Sequence, residues 1–133
     1  MTIEHIIPAG FEAIERDWKF SPAVKAERLV IVSGQIGMTE DGGAFADPLA
    51  DARAAFASLV HVLESAGAAP KDVVELVSYH TDLRGDLAEF QQAKGEIFVS
   101  DFPAWTAIGV SQLAVEGVRF EVKATAILPE PDA

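Results

Sequence analysis

The sequence has no cysteine, which excludes disulfide bonds, thiolate nucleophiles and every cysteine-based metal site. Basic residues are also scarce, since 10 Lys and Arg stand against 21 Asp and Glu and give a net charge of −11. Nucleic acids and anionic lipid surfaces are bound by clustered cations, and the few cations here are scattered along the chain. We therefore expect neither a nucleic acid nor a membrane as a partner.

Long apolar runs and targeting signals are absent as well. No window approaches the ~18 apolar residues of a membrane span, and Met1–His5 lacks the basic and apolar parts of a signal peptide. His5 and His80 have no third partner at the spacing of a metal site. A chain of 133 residues is long enough to enclose a core without cross-links. We therefore expect a single cytoplasmic domain over 1–133, with no bound metal.

Four segments have the pattern of β-strands, either a short apolar run or an alternation of apolar and polar residues. The last of them alternates most regularly, so that Phe120 lies on an apolar face and Glu121 on a polar one. The predicted strands are Leu29–Val32, Val73–Thr81, Trp105–Leu113 and Val118–Ile127.

Two further segments have the pattern of amphipathic helices. The first is expected to begin with Asp47 as N-cap and Pro48 in the first turn, and to end at Gly67. The second is expected to begin near Asp86, which stands at capping-box spacing before Glu89. Lys94 falls on its apolar stripe, so the ammonium must extend towards solvent.

These elements predict an α+β fold, a mixed sheet with two helices on one face. The other face would be partly apolar, through residues such as Val30 or Val32, and must meet solvent, a second sheet or another subunit. Self-association is the simplest way to cover it, with ligand sites between subunits.

Five short motifs occur in a recognisable order and spacing: Phe20–Val24, Val32–Gly37, His80–Leu83, Phe102–Thr106 and Phe120–Ala124. In that order and spacing they resemble the Rid family, also called the YjgF family, and the Pro-Ala-Trp-Thr-Ala motif is similar to the YjgH-type subgroup, which lacks the family's carboxylate-binding arginine. The resemblance implies a chorismate-mutase-like α+β fold and a homotrimer with a cleft at each subunit boundary. It also implies hydrolysis of reactive enamines and imines to carbonyl compounds and ammonia, with no metal or organic cofactor.

The resemblance also implies site residues. Glu121 matches the cleft glutamate that orients the attacking water, and Gln91 stands near the place of an asparagine in the second helix. Gly34 would let the backbone approach a ligand, or would form a bulge. The predicted substrate-binding residues are Phe20, Ser33, Gly34, His80, Gln91, Trp105 and Thr106.

At one position the sequence departs from the family pattern. Trp105 replaces the arginine that grips the substrate carboxylate, and an indole offers one N–H donor and no charge. An aromatic face can instead stack on a flat ring or a cation, which favours a neutral, aromatic or cationic ligand. The cations that we consider as replacements are Arg53, Arg119 and Lys123.

Several residues keep a second interpretation. Trp105 can be packing, Glu121 can be a solvated carboxylate, and His80 can be a buried hydrogen-bonded histidine or an acid–base group. Three functions follow: an imine or enamine deaminase, a non-catalytic metabolite binder or sensor on the same trimeric scaffold, and an endoribonuclease, which the acidic charge disfavours.

Overall fold

The computed structural model describes residues 1–131 and has six strands, three α-helices and one turn of 3₁₀-helix. The elements are β1 Ile3–Ile6, α1 Glu12–Trp18, β2 Ala23–Ala26, β3 Leu29–Gln35, α2 Pro48–Ser65, the 3₁₀ turn Pro70–Asp72, β4 Val73–His80, α3 Leu83–Ile97, β5 Ala104–Gly109 and β6 Phe120–Ile127.

The strands form one mixed sheet in the order β1-β2-β3-β6-β4-β5. Neighbouring strands are antiparallel except β4 and β5, which are parallel. The parallel pair follows from α3, which carries the chain back along the sheet between the two strands. β5 forms one edge of the sheet, and α3 packs against this strand.

Helices α2 and α3 pack together over one face of this sheet. Three aromatic rings form the centre of the core, since Phe90 lies 5.2 Å from both Phe56 and Phe120 between ring centroids. All three side chains are fully buried. Burial of such rings is the main source of stability in a domain of this size.

The predicted limits of α2 are confirmed. Asp47 caps the helix by accepting a hydrogen bond from the Ala50 amide at 3.1 Å, and Pro48 follows in the first turn. Gly67 has a φ of +85° just beyond the end of the helix, a conformation that glycine adopts without a steric penalty.

The predicted start of the second long helix is wrong. Helix α3 begins at Leu83 with Asp82 as its N-cap, and this side chain accepts a hydrogen bond from the Gly85 amide at 3.2 Å. Asp86 is instead buried, and it pairs with Arg119 at 3.2 Å. A tertiary ion pair therefore uses the carboxylate that local spacing had assigned to a cap.

Other boundaries also differ from the prediction. A third helix, α1, was not predicted from the sequence, and the last two strands are shorter than expected because 110–119 forms a loop between β5 and β6. Val30 and Val32 are fully buried on the helix-covered face, so they do not belong to the opposite face as expected.

The opposite face of the sheet, which we call the open face, has no layer over it among residues 1–131. Ile31 in the central strand β3 is 46% exposed there. Polar side chains share this face, because Glu121 and Lys123 alternate with the buried residues of β6. Within the described part of the chain, no helix is long and apolar enough to cross a membrane.

Candidate functional site

Five of the eight predicted site residues border two separate cavities. One has a volume of about 380 Å³ and is bordered by Phe20, Gly34 and Glu121. The other has a volume of about 270 Å³ and is bordered by Gln91 and Trp105. We call them the Glu121 cavity and the Trp105 cavity.

The Glu121 cavity is mostly apolar. Helix α1, which the sequence analysis missed, contributes one wall, and strand β3 with the loop after it contributes a second. Apolar walls of this kind select an apolar ligand body, and the few polar groups set its orientation. The cavity is lined by Phe11, Ile14, Trp18, Phe20, Gly34, Gln35, Ile36, Met38, Ala54, Ser58, Ala114, Val115 and Glu121.

Among the described residues, Glu121 is the one carboxylate that lines this cavity. Burial raises the pKa of Glu121 above its usual value, because a poorly solvated carboxylate is less stable in its charged form. Its carboxylate lies against Gly34, where a Cβ would stand 2.6 Å from Oε2. The pairing of β3 with β6 shifts register between Val32 and Gln35, which agrees with the bulge predicted at Gly34.

Ser33 supports the cavity from behind. Its hydroxyl donates a hydrogen bond to the carbonyl of Ser21 at 2.6 Å, which fixes the segment that carries Phe20. Gln35 donates to the Ser33 carbonyl at 3.1 Å and accepts from the Ser58 hydroxyl at 2.6 Å. Ser33 thus has a positioning role, and Gln35 is a lining residue that sequence reasoning missed.

In the Trp105 cavity, the indole is held on several sides. Its N–H donates a hydrogen bond to Ser78 Oγ at 2.9 Å, and its ring stacks on Phe90 with 6.0 Å between centroids. The ammonium of Lys94 lies 3.3 Å from the centroid of the ring, the geometry of a cation–π contact. Trp105 is therefore both a packing residue and a cavity wall.

His80 belongs to the core. Its ring is fully buried, 4.5 Å from the ring of Phe90 between centroids, and its Nε2 lies 2.7 Å from Ser78 Oγ. Burial lowers the pKa of His80, so the imidazole is neutral at pH 7. It borders neither cavity, and it contacts Ser78 and Phe90, which both also contact the Trp105 indole. Thr106 also borders neither cavity and is exposed.

Trp105 and Glu121 project from opposite faces of the sheet. Ser78, the partner of the Trp105 indole, is paired with Val122, whereas Glu121 is paired with Tyr79. Paired residues share a face and successive residues alternate. The structure therefore brings Phe20, Gly34 and Glu121 together, brings Gln91 and Trp105 together, and separates the two groups within one chain.

The cations considered as replacements for the arginine lie elsewhere. Arg53 pairs with Glu96 at 2.7 Å, and Arg119 donates to Asp86. Lys123 is on the open face. Lys94 is the cation that borders the Trp105 cavity; its position on the apolar stripe of the helix was the one sequence signal that pointed to it.

No group of three or more His, Cys, Asp or Glu side chains within residues 1–131 has the geometry to hold a metal ion. A buried polar cluster lies instead beneath the loop before β6. Asp51 is fully buried and accepts a hydrogen bond from the Arg119 amide at 3.0 Å. Burial, which outweighs this hydrogen bond, raises the pKa of Asp51 to about 6.

Comparison with known proteins gives a consistent result. Residues 11–128 match the family described as Endoribonuclease L-PSP. The chain is 36% identical over 126 residues to the RutC family protein YjgH of Escherichia coli (strain K12), covering 94% of this chain and 95% of that protein. It is 31% identical over 110 residues to the 2-iminobutanoate/2-iminopropanoate deaminase of Homo sapiens, covering 81% of this chain and 79% of that protein.

The comparison of folds agrees with the comparison of sequences. The solved structure titled Protein YJGH superposes with a TM-score of 0.87 at 35% identity, covering 98% of this chain and all of that one (100%). The predicted resemblance is therefore confirmed for nearly the whole chain, and with it the α+β fold. The chain belongs to the YjgF/RutC/L-PSP (Rid) family.

Proposed function

We propose that this protein is a Rid-type deaminase that hydrolyses an imine or enamine to a carbonyl compound and ammonia, with Glu121 activating the water. The observation that carries the proposal is the poorly solvated Glu121 carboxylate in a largely apolar cavity, packed against the backbone of Gly34. Relatives named 2-iminobutanoate/2-iminopropanoate deaminase support the reaction type.

The chemistry needs one base and one water. As the water oxygen attacks the imine carbon, Glu121 accepts a water proton, and a carbinolamine forms. Return of that proton to the nitrogen makes ammonia a leaving group. As the carbon–nitrogen bond breaks, the hydroxyl gives its proton to Glu121, which passes it to the departing ammonia, so that a protonated imine and water become a carbonyl compound and an ammonium ion. A carboxylate with a raised pKa is a stronger base than an exposed one, and its charge also stabilises a protonated imine.

We further propose that the working site lies between subunits of a homotrimer. The two groups of site residues lie on opposite faces of the sheet in one chain, so a cleft that contains both needs a second copy. The open face supports such an assembly, because it exposes apolar side chains on strands of the sheet. In a cyclic trimer the Glu121 cavity of one subunit would meet the Trp105 cavity of the next.

The second candidate is a non-catalytic metabolite binder on the same scaffold. Its support is Trp105 itself, which stands where the resembling deaminases have an arginine. A binder would be stabilised by a ligand that is released unchanged. The endoribonuclease function receives no such support, because the described residues that line the Glu121 cavity include no Lys or Arg and the chain has a net charge of −11.

A coupled assay tests the enzymatic proposal. Imines with a carboxylate are generated by an amino-acid oxidase, neutral imines by an amine oxidase, and ammonia release is followed. We expect catalysis above the buffer rate, lost in Glu121→Gln and kept in Glu64→Gln, a matched change at an exposed glutamate. If the wild-type protein accelerates no imine, charged or neutral, it is not a deaminase.

Mixed trimers test the composite cleft. We expect Glu121→Gln and Trp105→Ala homotrimers each to be inactive, and we would refold the two variants together at equal amounts. A cleft built by two subunits gives mixed trimers one intact site each, which restores about a quarter of the wild-type rate. A site within one chain restores nothing, because no chain would then carry both intact residues.

A further inference from the structure

We infer that Lys94 is the anion-binding residue of the Trp105 cavity, and that it binds the carboxylate of a small organic acid. The inference rests on the proposed function for the identity of the acid, which would be an imino acid or its keto-acid product. The Lys94–Trp105 arrangement then determines substrate specificity, and it selects an anion where the tryptophan alone predicted a neutral, aromatic or cationic ligand.

Lys94 carries a positive charge and forms no ion pair within the described part of the chain. Among residues 1–131, four ion pairs involve Arg16, Arg28, Arg53 and Arg119, and none involves Lys94. Glu96, two residues further along α3, is held by Arg53 in two hydrogen bonds of 3.0 Å and 2.7 Å. The carboxylate nearest in sequence is thus already occupied, and the ammonium of Lys94 contacts the indole instead.

The surroundings of the Lys94 side chain are largely apolar. Lys94 is partly buried, and apolar side chains of Leu76, Phe98 and Phe102 line the same cavity. Burial lowers the pKa of Lys94, so its charge is poorly solvated where it stands. An incoming anion would compensate that charge, and an ion pair is stronger beside apolar side chains than in bulk water.

A small ligand has access to the Trp105 cavity beside Lys94. Gly95 stands next to Lys94 on α3, and a Cβ placed on it would meet nothing within 4 Å. Gln91, one turn earlier on the same side of the helix, borders the cavity and has an amide that can donate to a second carboxylate oxygen. A volume of about 270 Å³ suits a small acid, and a single ammonium matches a monoanion better than a phosphate dianion.

Fluorescence provides a direct test. The chain has two tryptophans, so in Trp18→Phe the emission of Trp105 is observed alone, next to the ammonium. We would titrate this protein with propanoate, with propanamide as the uncharged analogue and with inorganic phosphate. We expect saturable binding of propanoate, at least tenfold weaker binding of propanamide, and weaker propanoate binding as salt is added.

Variants at Lys94 complete the experiment. Lys94→Met should weaken propanoate binding about tenfold or more, Lys94→Arg should retain it, and the exposed Lys71→Met should leave it unchanged. Near-ultraviolet circular dichroism checks that the Lys94→Met core is intact. Equal binding of propanoate and propanamide, stronger binding of phosphate than of propanoate, undiminished binding in Lys94→Met, or no propanoate binding at all would each overturn the inference.

The outcome also separates this inference from the proposed function. Lys94-dependent propanoate binding by a protein that hydrolyses no imine would leave the anion site standing and refute the deaminase. Glu121-dependent hydrolysis of imino acids with the same kcat/KM in Lys94→Met would refute the anion site and leave the deaminase standing.

Discussion

Gly34 and Glu121 are in contact across β3 and β6, so closely that a Cβ at position 34 would lie 2.6 Å from Oε2 of the carboxylate. Gly34→Ala must therefore move the Glu121 side chain. A flexible side chain moves at little cost, so we expect a loss of stability of less than about 1 kcal/mol. Deaminase activity should fall by tenfold or more, because a misplaced base loses its alignment with the water. Urea unfolding and the coupled assay measure the two effects.

Gly43→Ala is the matched control for this change. Its added Cβ would be no closer than 3.4 Å to a neighbour, the Thr39 hydroxyl, and the residue lies outside both cavities. We expect it to keep activity. An active Gly34→Ala protein would show that the position of the Glu121 carboxylate does not matter for the reaction.

The hydrogen bonds of Ser78 should have a measurable effect on stability. Ser78→Ala leaves the Trp105 N–H and the His80 Nε2 without their common partner in the core. Leaving buried polar groups unpaired costs roughly 1–3 kcal/mol, and we expect a decrease of that size in the free energy of unfolding. Ser65→Ala, at an exposed serine of α2, should change it by less than ~0.5 kcal/mol. Equal effects of the two changes would contradict this account.

The periodic elements could be predicted from the sequence because their signals are local. The cap of α2 at Asp47 and its end at Gly67 depend on neighbouring residues only, and both were predicted. Asp86 and Arg119 are 33 residues apart in the chain, and their pairing displaced the predicted cap of α3. Tertiary contacts of this kind have no local signature.

The candidate site was predicted only in part, again because contacts between distant parts of the chain have no local signature. Motif matching placed Phe20, Gly34 and Glu121 together, as the structure does. The same matching assigned Trp105 to a cleft at a subunit boundary, and within one chain its side chain lies on the other face of the sheet from Glu121. A sequence motif gives the position of a residue along the chain. It does not say which subunit of an oligomer would present that residue to a given cleft.

Asp51 should make stability depend on pH. The pKa of Asp51 is raised from 3.8 to about 6 in the folded protein, so folding favours the protonated form. The stabilising contribution is complete below about pH 4, is lost as the pH rises to about 6, and amounts to about 3 kcal/mol. Asp51→Asn cannot ionise, so its stability relative to wild type should increase by about that amount between about pH 4 and 7.

Urea unfolding at several pH values checks this prediction. Asp86 and Arg119 also influence the pKa of Asp51. The comparison therefore uses the difference in the free energy of unfolding between variant and wild type at each pH. Glu64→Gln, at an exposed position, provides the control and should show no such trend. A difference that stays constant across this range would mean that folding does not raise the pKa of Asp51.

The open face provides a test of the proposed trimer. Ile31 lies in β3 and is 46% exposed, so Ile31→Glu would place a charge inside any interface formed there, and an unpaired buried charge is strongly unfavourable. We expect sedimentation to show trimers for the wild type and monomers for Ile31→Glu, whereas Ala57→Glu, on an exposed position of α2, should leave the trimer intact. Because we place the cleft between subunits, the monomer should also be inactive while remaining folded. A monomeric wild-type protein would refute the trimer, and a folded, active monomer of Ile31→Glu would show that one chain holds a complete site.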